Sequence, residues 1–208
     1  MSKVIKTFCV AAAICAVTTV ANAQAGSLYL GLGNINFWGT DEGIGTGFTS
    51  ISQGDASVTA YGIAPEIGYF LSDNFVIGGS IGFTGYSRKD AQGNSIDETH
   101  STFAISPYVR YFLTKTDKFG FYLQGGFEYA TTTDGTYNGT DDYKINEWGI
   151  AILPGISYTL SDHFNLTASF GTLGYGSSKG NSPNEEAINT FGLSLDGSTL
   201  RFGVFYTF

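Results

Sequence analysis

Chemistry in this chain would have to start from two histidines and a few paired acids. His100 stands beside Ser101 and just after Asp97-Glu98, the residue types of a nucleophile, a base and an orienting acid, so acyl transfer or hydrolysis is the reaction to test first. The spacing argues against it: neighbouring residues of a strand face opposite ways, so His100 and Ser101 cannot share a proton directly. His163 follows Asp162 in a short turn, remote from His100. With two separated histidines and no cysteine after position 15, no transition-metal constellation can be drawn. The acid pairs Asp41-Glu42, Asp97-Glu98, Asp141-Asp142 and Glu185-Glu186 read as solvated loop charge rather than an ordered calcium site. Gly31-Leu-Gly33 and Gly43-Ile-Gly45-Thr-Gly47 lead into no helix, so they cannot act as a dinucleotide loop. The expectation is a chain with no catalytic residues, no metal and no cofactor.

The elements that carry these residues announce themselves by repetition. Ile63-Ala-Pro-Glu-Ile-Gly-Tyr-Phe-Leu71 returns as Ile105-Ser-Pro-Tyr-Val-Arg-Tyr-Phe-Leu113 and as Ile152-Leu-Pro-Gly-Ile-Ser-Tyr-Thr-Leu160, each followed by Ser or Thr and a polar turn. Every second residue is apolar, while Glu66 and Arg110 fall in the other phase, which is the period of a two-faced strand. Eight such runs are expected: Leu28–Trp38, Ser57–Leu71, Phe75–Ser87, Thr99–Leu113, Phe119–Thr131, Tyr143–Leu160, Phe164–Tyr175 and Leu200–Phe208. Their connections alternate. Ser72-Asp-Asn74, Lys115-Thr-Asp-Lys118 and Ser161-Asp-His163 are tight, whereas 39–55, 88–98, 134–142 and 176–189 are long and rich in Gly, Ser, Thr, Asn and Asp.

Which face is apolar separates a soluble barrel from a membrane one. The apolar phase, for example Ile67, Tyr69, Ile77, Ile105, Val109, Leu123, Ile150, Ile156 and Val204, contains no charge, while Glu66, Arg110, Glu128, Glu147 and Arg201 all take the opposite phase together with many Gly, Ser and Thr. Lipid outside and a polar, packed interior meet this pattern; a soluble barrel would invert it. The step from Trp148 to Tyr158 covers about 25 Å along a tilted strand, the height of an apolar band between aromatic girdles. The fold class expected is therefore all-β, an eight-stranded antiparallel up-and-down transmembrane β-barrel with its short turns in the periplasm. Two features strain this reading. Pro65, Pro107 and Pro154 lie inside strands, which suggests a repeated bulge, and the phase changes between Leu195 and Leu200, so that Asp196-Gly-Ser-Thr199 should bulge or divide two segments.

The N-terminal stretch has the marks of an export signal: Lys3 and Lys6, an apolar run from Phe8 to Val17, and Ala21-Asn-Ala23. Residues 1–23 are expected to be removed and 24–208 to form the barrel, and both Cys9 and Cys15 would leave with the signal. The remainder carries 8 basic and 18 acidic residues, a net charge of −10, which disfavours nucleic acid as a partner.

The chain resembles the small eight-stranded outer-membrane barrels of the OmpA/OmpX type, sometimes called porin-family proteins. The sharpest element is Leu200-Arg-Phe-Gly-Val-Phe-Tyr-Thr-Phe208, an alternating last strand ending on Phe. The resemblance implies a Gram-negative outer-membrane location and reads Leu200, Phe202, Val204, Tyr206 and Phe208 as the signal seen by the barrel-assembly machinery. It implies no single activity, because members serve as adhesins, envelope anchors, narrow pores and lipid enzymes. The leading expectation is a non-enzymatic monomer in contact with outer-membrane lipid and lipopolysaccharide. Its four acidic loops would serve envelope structure or surface interaction. The alternative is a narrow channel for small solutes or apolar compounds, with a lipid-modifying enzyme third. Counted from the nearest periplasmic strand end, Arg110 is three residues up, Glu66 five, Arg201 seven and Glu128 nine, so these charges, with Glu147, are expected to form one interior network, packed among the inward rings Tyr29, Phe70, Tyr108, Phe112, Tyr122 and Phe205.

Overall fold

The computed structural model describes residues 25–35, 46–134, 143–182, 184–195 and 199–208. The signal segment, Phe37-Trp38, Asp41-Glu42, most of the 43–47 glycine run, Asp141-Asp142 and 196–198 lie outside the described residues. Twelve strand segments follow in chain order: β1 (Leu28–Ile35), β2 (Gly47–Gln53), β3 (Ala56–Ile63), β4 (Pro65–Ser72), β5 (Phe75–Lys89), β6 (Ser95–Lys115), β7 (Phe119–Asp134), β8 (Tyr143–Thr159), β9 (Phe164–Ser169), β10 (Thr172–Gly180), β11 (Ile188–Ser194) and β12 (Arg201–Thr207). They make eight antiparallel staves, because β1–β2, β3–β4, β9–β10 and β11–β12 are each one stave interrupted once. The ladder from β1 to β12, Tyr29 opposite Thr207 and Leu32 opposite Val204, closes the barrel. No described helix is long and apolar enough to cross a membrane; the crossing is made by strands.

The alternation in sequence becomes alternation in exposure. Along β4, Glu66, Gly68 and Phe70 are buried while Ile67, Tyr69 and Leu71 are exposed. Ile77, Ile81, Phe103, Ile105, Val109, Leu123, Ile150 and Ile156 are likewise exposed, so the outer wall is the apolar one. Aromatic side chains ring the short-turn end, where Phe119 meets Tyr158 at 4.8 Å and Tyr206 meets both Phe164 and Phe208, while Trp148 and Tyr175 meet higher up.

Three expectations need correction. First, Gly47–Gln53 is a strand rather than loop: it pairs with β3 from Gly47–Gly62 to Gln53–Ala56 and ends in a tight turn at Gly54, whose φ of 63° suits a residue without Cβ. Second, Pro107 and Pro154 do not mark bulges in their own strands, whereas Pro65 opens β4 directly after the interruption at Ala64. Register runs through Pro107 against β5 and through Pro154 against β7 without a step. Near Pro154 it is the neighbouring stave that breaks, between β9 and β10, where Gly171 adopts φ 85° and the Phe170 N–H donates to the Pro154 carbonyl. That break switches phase, so Leu173 and Tyr175 rather than even-numbered residues face outward in β10. Third, two bulges sit at the short-turn ends of two repeats, at Leu71 and Leu113, where the ladder steps between Phe70 and Ser72 and between Phe112 and Thr114; further steps lie between Leu32 and Ile35 and between Tyr86 and Arg88. The expected division of the last stave is present as β11 and β12, with outward Phe191, Leu193 and Leu195 in one phase and Val204 in the other.

Candidate functional site

The interior of the barrel is divided at mid-height by one ion pair. Glu66 on β4 and Arg110 on β6 are 7% and 5% exposed, and an Arg110 Nη2–H donates to Glu66 Oε1 at 3.2 Å. In ladder register Glu66 is level with Ser80 and, through it, with Ser106, four residues from Arg110; the length of the arginine side chain closes that gap across the lumen. The guanidinium also donates from Nε and Nη2 to Gln124 Oε1, at 3.0 and 2.7 Å. Glu66 Oε1 further accepts from the Tyr108 hydroxyl at 2.5 Å and the Tyr29 hydroxyl at 3.3 Å, and those two hydroxyls are themselves hydrogen-bonded. Both charges are thus paired and surrounded by donors and acceptors, the condition under which buried ions are tolerated.

A cage of rings holds this pair in place. Arg110 lies over Tyr122 at 4.6 Å, Tyr108 at 5.1 Å, Phe205 at 5.8 Å and Tyr29 at 5.9 Å. The rings fit a narrow lumen because glycines face them across the ladder. Tyr29 pairs with Gly68, Tyr108 with Gly78, Tyr122 with Gly155 and Phe205 with Gly31. A Cβ on Gly68 would meet Tyr29 at 2.2 Å, on Gly155 Tyr122 at 2.3 Å, and on Gly78 Tyr108 at 2.5 Å. Each ring occupies the space that a Cβ on its facing glycine would need.

Above and below this plug the lumen widens. The cavity at the short-turn end, periplasmic in the expected orientation, has about 740 Å³ and the outer one about 560 Å³, and no residue lines both. Between them is a void of about 30 Å³ beside Glu66, Arg110 and Gln124, room for about one water.

Arg201 also lines the small void beside the pair, but its electrostatic partner is Glu128. Glu128 accepts a hydrogen bond from Ser106 Oγ at 2.9 Å and interacts electrostatically with Arg201, so these two form a separate tier lining the outer cavity. Glu147, level with Ala130 on β7 and Ser178 on β10, is exposed at the rim of that cavity. In place of one interior network stand a buried pair, the half-buried Arg201 with the exposed Glu128 above it, and a single exposed carboxylate higher still.

Two participants escape a reading of the strands in isolation. Gln124 is inward by phase, but its role depends on β7 carrying it directly opposite Arg110. Lys115 falls in the outward phase of its strand; the bulge at Leu113 turns it inward, level with Gly120, and places its Nζ 5.1 Å from the centre of the Phe70 ring and 5.7 Å from that of Phe112.

The histidines sit apart from the plug and from each other. His100, on β6 in the outer half, stacks on Tyr86 at 4.1 Å. His163 donates from Nδ1 to the Thr207 carbonyl at 2.9 Å and stacks on Tyr206. Beside it the last strand is tied down at its end, with the Phe208 N–H donating to the Leu28 carbonyl. Leu200, Phe202, Tyr206 and Phe208 are partly exposed and Val204 is exposed. Of the acid pairs, Glu185 accepts from the Tyr143 hydroxyl at 2.7 and 2.8 Å, tying the 181–187 loop to the start of β8.

Several solved structures are similar to this chain. The E. coli outer membrane protein W is similar over 90% of this chain and 100% of its own, at 15% identity and a TM-score of 0.51. The Pseudomonas aeruginosa outer membrane protein OprG is similar over 91% and 99%, at 15% identity and 0.48, and Neisserial surface protein A over 91% and 100%, at 15% and 0.42. No curated protein matches the chain. The outer membrane protein beta-barrel domain matches residues 7–208, nearly the whole length. A closed barrel with an apolar outer wall, a charged and ring-packed interior and that match together place the chain in the outer membrane protein β-barrel domain family.

Proposed function

We propose that this protein is a non-enzymatic outer-membrane barrel whose transmembrane part is a permanently plugged anchor and whose function lies in what it presents outside the cell. The observation that carries this reading is the Glu66–Arg110 pair with its cage of rings, which leaves about 30 Å³ between the two cavities. A hydrated ion or solute cannot pass such a void without dismantling several hydrogen bonds at once. Loops and outer cavity then remain for envelope structure or surface interaction, with outer-membrane lipid and lipopolysaccharide as immediate neighbours and a single copy as the working unit.

Biogenesis completes the proposal. Residues 1–23 act as the export signal, and Leu200, Phe202, Val204, Tyr206 and Phe208 present the pattern read by the barrel-assembly machinery. Conductance across a planar bilayer tests the central claim. Purified wild type is expected to give no steady current; a stable open level, unchanged in Arg110→Ala and Glu66→Ala, would refute the plug and promote the narrow-channel reading. That second reading draws support from the two cavities, which approach each other to within one small void.

A further inference from the structure

The periplasmic cavity has the chemistry of a ligand site, and nothing in the plug requires it to be there. Its 740 Å³ is in the size range of small-molecule sites. Its inner end is aromatic: Phe70 and Phe112 stack at 6.2 Å with planes 18° apart, with Tyr29 and Phe205 beside them. Its rim is acidic and hydroxylic, with Asp73, Asp117 and Asp162 among the lining residues. Of the two cations that line it, Arg110 is already neutralised by Glu66. The other, Lys115, occupies the aromatic seat: its ammonium is 5.1 and 5.7 Å from the Phe70 and Phe112 ring centres and donates to the Asp73 carbonyl at 3.3 Å. Ring faces attract ammonium groups, more strongly when water is excluded, and carboxylates at the mouth raise the local concentration of cations. A bulge at Leu113, rather than ordinary strand alternation, is what aims this lysine inward.

We propose that the periplasmic cavity binds small organic ammonium ions with an apolar body, and that Lys115 is a tethered competitor occupying the seat when no ligand is bound. An incoming ammonium takes the place of the Lys115 head over Phe70 and Phe112, its apolar body lies along the inner wall, and Asp117 and Asp162 draw it in. The opposite reading, a carboxylate ligand held by Lys115, makes the contrary prediction for the same variant, so one substitution separates them.

The full-length barrel in nanodiscs is titrated with 2-phenylethylammonium, with neutral 2-phenylethanol and with 3-phenylpropanoate, followed by calorimetry. Saturable binding of the ammonium alone is expected. Lys115→Met, which keeps the apolar stem and removes the competing charge, should tighten it roughly tenfold. The double variant Asp117→Asn/Asp162→Asn, in exposed turns outside the ladders, should weaken it several-fold. Heat-shifted migration on gels confirms that each variant is folded. Carboxylate binding abolished by Lys115→Met would overturn the proposal, as would equal binding of the alcohol, no saturable binding of any probe, or ammonium binding indifferent to all three substitutions.

Discussion

Removing the Arg110 side chain is the sharpest test of how the interior is held together. Arg110→Ala would leave Glu66, 7% exposed, without its counter-ion, and would leave Gln124 Oε1 without two donors at 3.0 and 2.7 Å. Breaking a buried ion pair on one side costs ~3–5 kcal/mol. Glu66 keeps the Tyr108 and Tyr29 hydroxyls as donors, which favours the lower end of that range. At a urea dependence of ~1–3 kcal/mol per molar, a loss of about 3 kcal/mol lowers the unfolding midpoint by roughly 1–3 M. The assay is urea unfolding in lipid, followed by the fluorescence of Trp38 and Trp148, alongside single-channel recording. Tyr29, Phe70, Tyr108, Phe112, Tyr122 and Phe205 still fill the lumen in the variant, so no steady current should appear. The double variant Glu66→Ala/Arg110→Ala should be less destabilised than the sum of the two singles, by ~0.5–3 kcal/mol. An unchanged midpoint in Arg110→Ala, or additive singles, would refute the view that this pair organises the plug.

Four further outcomes are expected. Phe202→Arg or Val204→Arg places a charge on the lipid face at ~2–4 kcal/mol near the midplane, so the heat-dependent gel shift should weaken or vanish; an unaltered shift would mean that the outward phase of β12 is wrong. Gly68→Ala forces the Tyr29 ring off its seat, an overpacking that costs ~1–3 kcal/mol, whereas Gly192→Ala, with nothing within 4 Å of its Cβ, should leave the unfolding midpoint alone. In the Asp90–Asn94 turn the Asn94 backbone N–H, followed by the Asn94 side chain and the Gln92 N–H, holds the Asp90 carboxyl below the usual aspartate range. A depressed value in the folded state means that the turn is supported at neutral pH and loses that support as pH falls through the folded value; exchange protection of the Gln92 and Asn94 amides should drop there and be low at all pH in Asp90→Ala. Finally, the intact mass of the membrane-extracted protein should correspond to a chain starting at Gln24, and a mature form retaining Cys9 would exclude cleavage after Ala23.

Most of the wall was legible because lipid imposes a period of two that every stave must obey, and Glu66 and Arg110 betrayed the interior by standing in the wrong phase for lipid. What was hidden arose where the chain steps out of that period. β2 lacks a clean alternation, with Phe48 and Ile51 in opposite phases, so Gly47–Gln53 resembles loop in composition. Gly171 and the bulges at Leu71 and Leu113 each shift the phase by one residue, and such shifts depend on how two staves meet. Lys115 faces the lumen for that reason alone. The split of the expected charge layer has a similar origin: counting residues from a turn gives height along one stave, whereas the side chains reach different distances across a tilted barrel, and the long Arg110 arm meets Glu66 while Arg201 is left to Glu128.

The pairing of rings with glycines also sets the order of events. Tyr108 and Tyr122 rest on Gly78 and Gly155, within hairpins that a growing sheet forms locally. Tyr29 and Phe205 rest on Gly68 and Gly31, and Phe205 reaches its seat only across the seam between the first and last staves. Until that seam zips, one of the four rings around Arg110 lacks its seat. The full cage is therefore complete only once β12 has docked against β1.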